Sequence, residues 1–142
     1  AGVGPSVVLL TKIPEFVENI FASDLNPHAA ELLELNLPNS VTKCADAREL
    51  SEELGECCDL LLVNLPHETI DHLPHLLGLL NSGHEVVIRG WAILDSELIS
   101  AAETDIRKHL SECQVLSLEI TSKKSYSSTI SYVSIEAHLI RD

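Results

Sequence analysis

The chain has 142 residues, a length that suits one domain, and 45% of them are hydrophobic, so it can bury a real core. No run approaches the roughly 18–20 unbroken apolar residues of a membrane span, and no basic-then-apolar signal peptide leads the chain. The formal net charge of −13 argues against non-specific capture of nucleic acid through this segment.

In chain order, Ala1-Gly2-Val3-Gly4-Pro5 reads as a glycine turn, where missing Cβ atoms allow a tight bend and a close ligand approach. Ser6 to about Thr11 is predicted to be the first helix, with Ser6 as N-cap and Pro14 as the stop. Its N-terminal N–H groups would face the same space as the glycines. Ile20 to Ser23 is a short strand, and Asp24 follows at its end, 20 residues after Gly4. That spacing suits an acid gripping a ribose diol. The alternative is an acid that simply caps the next helix. That helix starts at Asn26-Pro27, runs to about Leu37, and is expected to bury Ala29, Leu32, Leu33 and Leu37. Val41 to Cys44 is a strand followed by Asp46-Ala47-Arg48, and Glu49 to Leu54 is a short acidic helix with a solvated face.

Leu60-Leu61-Leu62-Val63 is a continuous apolar run, as for a central strand buried on both faces. It ends at Asn64-Leu65-Pro66-His67. A helix from Glu68 to Leu80 is expected to kink or restart at Pro74. Glu85 to Arg89 is a strand closed by Gly90-Trp91. Asp95 to Leu110 is the best amphipathic helix, with Asp95 as N-cap and Arg107, Lys108 and His109 near its end. Leu116, Leu118 and Ile120 alternate with polar residues, as do Val133, Ile135, Ala137 and Leu139. These are half-exposed strands of a terminal hairpin whose loop holds Lys123-Lys124-Ser125-Tyr126.

Alternating strands and helices followed by a hairpin predict an α/β fold, mostly parallel with an antiparallel edge, over a single domain of residues 1–142. A parallel sheet of this kind needs a strand before the glycine loop. That first strand is missing, so the chain reads as truncated at its N-terminus. Cys44, Cys57, Cys58 and Cys113 match no Cys-x-x-Cys pair and read as buried or incidental thiols of a reducing cytosol. His67, His72 and His75, with Glu68 and Asp71, lack the spacing of a metal set, so they read as solvated helix histidines and no metal is expected.

Ala1-Gly2-Val3-Gly4-Pro5, Asp24-Leu25-Asn26-Pro27, Asp46-Ala47-Arg48-Glu49, Asn64-Leu65-Pro66 and Lys124-Ser125-Tyr126 fall in order on predicted strand ends. With this set the chain resembles a class I S-adenosylmethionine-dependent methyltransferase. More narrowly, it resembles the archaeal and eukaryotic tRNA guanine N1-methyltransferases, which act on the guanosine 3′ of the anticodon. The resemblance implies a Rossmann-like sheet and S-adenosyl-L-methionine as cofactor. Gly2 and Gly4 would approach its methionine part, Asp24 would bind its ribose hydroxyls with Leu25 also in the cofactor site, and Asp46 and Ala47 would reach its adenine. Asn64 and Pro66 would line the guanine pocket as the catalytic pair, Asn64 touching the cofactor side as well. Lys123, Lys124 and Tyr126 would contact RNA, since phosphates attract Lys and a base stacks on Tyr.

The resemblance further implies an in-line methyl displacement, in which alignment is the protein's main contribution. The base for guanine N1 in that family is a Glu upstream of the glycine loop. It would lie before Ala1, together with most of the tRNA-binding surface; within the chain Glu68 is the carboxylate nearest the motif. Ser6 stands where the family usually has Phe, and Arg89-Gly90-Trp91 where it has an aromatic stretch. Two other readings stay open. One is a related wyosine-pathway enzyme that transfers the aminocarboxypropyl arm of the same cofactor, a branch that tends to lose the Asn of Asn-Leu-Pro. The other is a non-catalytic cofactor- or RNA-binding module.

Overall fold

The computed structural model describes residues 2, 4–13, 17–125, 127 and 129–142. It divides into two compact units, residues 1–50 and 51–142.

The first unit follows from a short run of local rules. Helix α1, Pro5–Leu10, begins immediately after Gly4, whose φ of 81° makes the turn into it. Gly4 is therefore the N-cap, and Ser6 lies inside the first turn rather than capping it. Strand β1, Phe21–Asp24, leads to helix α2, Pro27–Asn36, whose N-cap Asn26 accepts the His28 N–H at 3.0 Å. Strand β2, Val41–Cys44, pairs parallel with β1, Phe21 opposite Val41 and Asp24 opposite Cys44. The core is Ala22, Leu33 and Leu37, with Val7 and Val8 of α1 packed against it. The buried stripe of α2 is Ala30 and Leu33, continued by Leu37 just beyond the helix; the predicted Leu32 is 47% exposed and Ala29 only half-buried. Two strands cover only a narrow stripe of a helix, so the broad apolar face read from the sequence is not all used.

A 3₁₀ turn at Ala47–Glu49 enters helix α3, Leu50–Leu54, within which the unit boundary falls. The second unit is one four-stranded sheet in the order β3-β4-β6-β5. Strand β3, Leu60–Asn64, lies parallel to β4, Glu85–Asp95; β6, Ile130–Ile140, is antiparallel to both β4 and β5, Gln114–Ser125. Helix α4, Thr69–Leu76, passes through Pro74 and tightens into a 3₁₀ turn at Leu77–Leu79. Helix α5, Ile99–His109, follows a 3₁₀ turn that Asp95 caps by accepting the Glu97 N–H at 3.1 Å. The buried face of the sheet carries Val86, Ile88 and Ala92 of β4 and Val133, Ile135, Ala137 and Leu139 of β6, while α4 and α5 bury Leu73, Leu76, Ala102 and Ile106.

Two expected boundaries move. β4 does not close at Gly90-Trp91 but runs on to Asp95, pairing with β6 along its whole length. Lys123, Lys124 and Ser125 belong to β5 rather than to a hairpin loop. Residues 121–125 of β5 are all exposed, so no alternation in the sequence reveals this end of the strand. Among the described residues no helix is long and apolar enough to cross a membrane.

Candidate functional site

In the first unit, the glycine turn and the end of β1 are joined directly. The Gly2 N–H donates to Asp24 Oδ2 at 2.7 Å, and the Asn26 N–H donates to Asp24 Oδ1 at 2.9 Å. Partial burial works to raise the Asp24 pKa; the N–H groups of Asn26 and Gly2 are among the groups that together outweigh it and hold the carboxyl below its ordinary value. The acid is thus ionised, with its two oxygens fixed in direction. Gly2 has a φ of 58°, and a Cβ built on it would meet nothing within 4 Å. Gly4 differs. A Cβ there would meet Leu33 Cδ1 at 2.8 Å, so Gly4 is set by packing as well as by its turn. Leu25 is 67% exposed, next to the pinned acid, and its carbonyl accepts the Cys44 thiol at 3.7 Å.

Asp46 and Ala47 follow the adjacent strand β2. Asp46 Oδ1 accepts the Arg48 N–H at 2.9 Å, and the Arg48 guanidinium closes on the same carboxylate, Nε at 3.0 and 3.2 Å and Nη2 at 2.5 Å. The sequence reading missed this partner, although an Asp two residues before an Arg at a strand end is a signal that could have indicated it. A shallow cleft between α2 and β2 is lined by Ala30, Glu31, Glu34, Lys43 and Cys44 among others, and none of the predicted cofactor residues lines it.

In the second unit, Asn64 ends β3, exposed and in register with Trp91 of β4. The turn that follows is tied down by backbone and by one buried hydroxyl. The Glu68 N–H donates to the Leu65 carbonyl at 2.8 Å, and the Ile93 N–H donates to the Pro66 carbonyl at 2.7 Å. Thr69, 1% exposed, lies within hydrogen-bonding distance of both the Leu65 backbone and the Trp91 carbonyl. Trp91 is half-buried in the strand. Glu68 is exposed at the N-cap of α4. His72 is not a solvated helix histidine: it is 9% exposed and its Nδ1 sits 2.9 Å from the Glu68 carbonyl, an acceptor for the Nδ1–H. His75 is exposed as expected.

Lys123 and Lys124 are exposed near the end of β5, where the register slips between Ser122 and Lys124. Tyr126 lies outside the described residues. The four cysteines are free thiols; Cys44 is exposed rather than buried, and burial pushes the Cys58 thiol up to about 12. Among the described residues no cluster of His, Cys, Asp or Glu could hold a metal ion.

The fold defines the class: it is the Rossmann-like fold of the class I methyltransferases, with a C-terminal antiparallel hairpin. The chain superposes on Methanocaldococcus jannaschii TYW2, solved in complex with AdoMet, with a TM-score of 0.87 at 20% identity, covering 100% of this chain and 66% of that one. On Pyrococcus abyssi Trm5b the TM-score is 0.79 at 26% identity, covering 99% of this chain and 42% of that one.

In sequence, the particular resemblance is to tRNA (guanine(37)-N(1))-methyltransferases. The chain is 37% identical over 84 residues to Trm5b of Pyrococcus abyssi (strain GE5 / Orsay), covering 58% of this chain and 24% of that protein. It is 33% identical over 95 residues to tRNA (guanine(37)-N(1))-methyltransferase 2 of Arabidopsis thaliana, covering 59% of this chain and 15% of that protein. The chain therefore spans about a quarter or less of the length of these curated relatives. No family model matches it.

Proposed function

We propose that residues 1–142 form the catalytic segment of an S-adenosylmethionine-dependent tRNA (guanine-N1)-methyltransferase. The observation that carries this reading is the Gly2–Asp24 pairing at the end of a parallel strand, 2.7 Å from N–H to carboxylate. The sequence similarity to two tRNA (guanine(37)-N(1))-methyltransferases supports it.

The residues present fit the cofactor. The space beyond Gly2 is open, so backbone there can be approached closely. Asp24 is a carboxylate at the end of β1, held in direction by the N–H groups of Gly2 and Asn26, and a carboxylate is acceptor-only, as a ribose diol requires. When bound, S-adenosylmethionine supplies a methyl group on a sulfonium, open to in-line attack. Asp24 accepts the ribose hydroxyls beside Leu25. Asp46 shares its carboxylate between Arg48 and the adenine amino group, with Ala47 beside the ring. Asn64 orients the edge of the guanine and Pro66 walls its pocket. Their contribution is alignment of the acceptor nitrogen with the methyl group. Lys123, Lys124 and Tyr126 contact the RNA. With a net charge of −13, most of the grip on tRNA is supplied by other parts of the protein. A tRNA substrate and free thiols together fit the cytoplasm.

Transfer of the aminocarboxypropyl arm is the alternative. It has in its favour the TM-score of 0.87 with TYW2, but at 20% identity that likeness speaks for the fold alone. The presence of Asn64 in Asn-Leu-Pro favours methyl transfer.

Asn64→Ala tests the reading. The methylation rate at saturating cofactor should fall about tenfold or more, far more than the calorimetric affinity for the cofactor. Equal losses of rate and cofactor affinity would make Asn64 a strand-end residue with no part in alignment.

A further inference from the structure

We infer that Thr69 and Gly90 form a fitted latch that sets the direction of Asn64, making Thr69 a positioning residue for the guanine site; this rests on the function proposed above.

The Thr69 hydroxyl stands at the junction of three backbone groups. It accepts the Leu65 N–H at 3.2 Å, and it lies 2.9 Å from the Leu65 carbonyl and 2.7 Å from the Trp91 carbonyl. A hydroxyl has one proton, so it can fully satisfy only one carbonyl at a time. The Leu65 carbonyl already receives the Glu68 N–H at 2.8 Å. The shorter contact, to Trp91, is the bond that ties the Asn64–Thr69 turn to β4. The bond from Pro66 to Ile93 is the second tie. Asn64 is the residue immediately before the clamped Leu65, so its backbone direction follows from where Leu65 is held.

Gly90 explains how Thr69 gets so close. Its φ is not in the left-handed region, so backbone strain does not require a glycine here. Space does: a Cβ on Gly90 would lie 2.9 Å from Thr69 Cγ2. That methyl cannot swing aside, because Thr69 is β-branched, 1% exposed and held through its hydroxyl. A glycine in the interior of a buried strand marks such a close approach. The pair predicts a reciprocal rescue, since Thr69→Ser removes the methyl and keeps the hydroxyl.

The test measures kcat for guanine methylation, cofactor Kd, and hydrogen exchange at the Leu65 and Ile93 amides. The proteins compared, each carrying residues 1–142 together with the tRNA-binding parts, are the wild type, Thr69→Val, Thr69→Ser, Gly90→Ala and the double variant Thr69→Ser/Gly90→Ala. Thr69→Val and Gly90→Ala should each lower kcat about tenfold or more and speed exchange, with cofactor Kd unchanged. The double variant should recover to about the level of Thr69→Ser alone. Wild-type kcat and exchange in Thr69→Val, or a double variant no better than Gly90→Ala, overturns the latch. Should Thr69→Val not fold, the Gly90→Ala and double-variant comparison decides alone. A wild type that methylates no guanine defeats the proposed function instead. In that case faster Leu65 exchange in Thr69→Val sustains the latch, and unchanged exchange overturns it.

Discussion

The two glycines of the first turn share a left-handed φ but differ in what surrounds them, and that difference can be measured. Gly4→Ala adds about 1–2 kcal/mol of left-handed strain and drives a Cβ into Leu33 Cδ1 at 2.8 Å, so urea denaturation should show a loss of about 2–4 kcal/mol. Gly2→Ala meets open space and should cost only the strain, about 1–2 kcal/mol, while weakening cofactor binding through the closer backbone approach it spoils. Asp24 carries a pH signature. Its pKa is depressed in the folded chain despite partial burial, with the N–H groups of Asn26 and Gly2 among those that favour the charged form. A depressed acid contributes its full effect above the ordinary carboxylate pKa, and loses it as pH falls through the lowered folded value. Cofactor Kd should therefore stay flat from about pH 8 to about pH 5 and weaken only below about pH 4. Asp24→Ala should weaken binding at pH 7, each lost charge-assisted bond being worth about 1.5–3 kcal/mol. An unchanged Kd removes Asp24 from the site. That the glycine turn and Asp24 lie together was legible, because a turn, a strand and a terminal acid leave a spacing in the chain. Arg48 and Thr69 were not, because a salt bridge within a turn and a buried hydroxyl have no periodicity to read.

Among the elements, α2 shows where periodicity runs out. Its apolar residues include Leu32, Leu33 and Leu35, but only a stripe through Ala30, Leu33 and Leu37 is buried, with Leu35 76% exposed. Leu33→Ala should cost about 2–5 kcal/mol, and Leu32→Ala about 0.5 kcal/mol or less, in paired thermal or urea unfolding. Equal costs would mean that the stripe lies elsewhere. The position of β4 was readable but its end was not. Gly-Trp carries the punctuation of a turn, whereas Gly90 is there to admit Thr69, and the strand continues beneath it. In β6 the alternation read from Val133 to Leu139 is the alternation observed, since that strand is covered on one face only. β5 lies at the edge of its sheet and is exposed over Thr121–Ser125, so its last residues resemble a polar loop.

Over the whole chain, the order of strands and helices and the closing hairpin were legible, because each element carries its own apolar pattern. The division into two compact units was not, since it depends on which strands pair rather than on what each strand contains. The net charge of −13 and the span of about a quarter or less of the curated relatives both bear on how a tRNA would be held, but neither touches the chemistry proposed for residues 1–142. That chemistry is tested most directly by nucleoside mass spectrometry of tRNA incubated with S-adenosylmethionine and a protein that carries residues 1–142 together with its tRNA-binding parts. The account predicts cofactor-dependent N1-methylguanosine at the position 3′ of the anticodon. An aminocarboxypropyl adduct, or unmodified guanosine at that position, would contradict it.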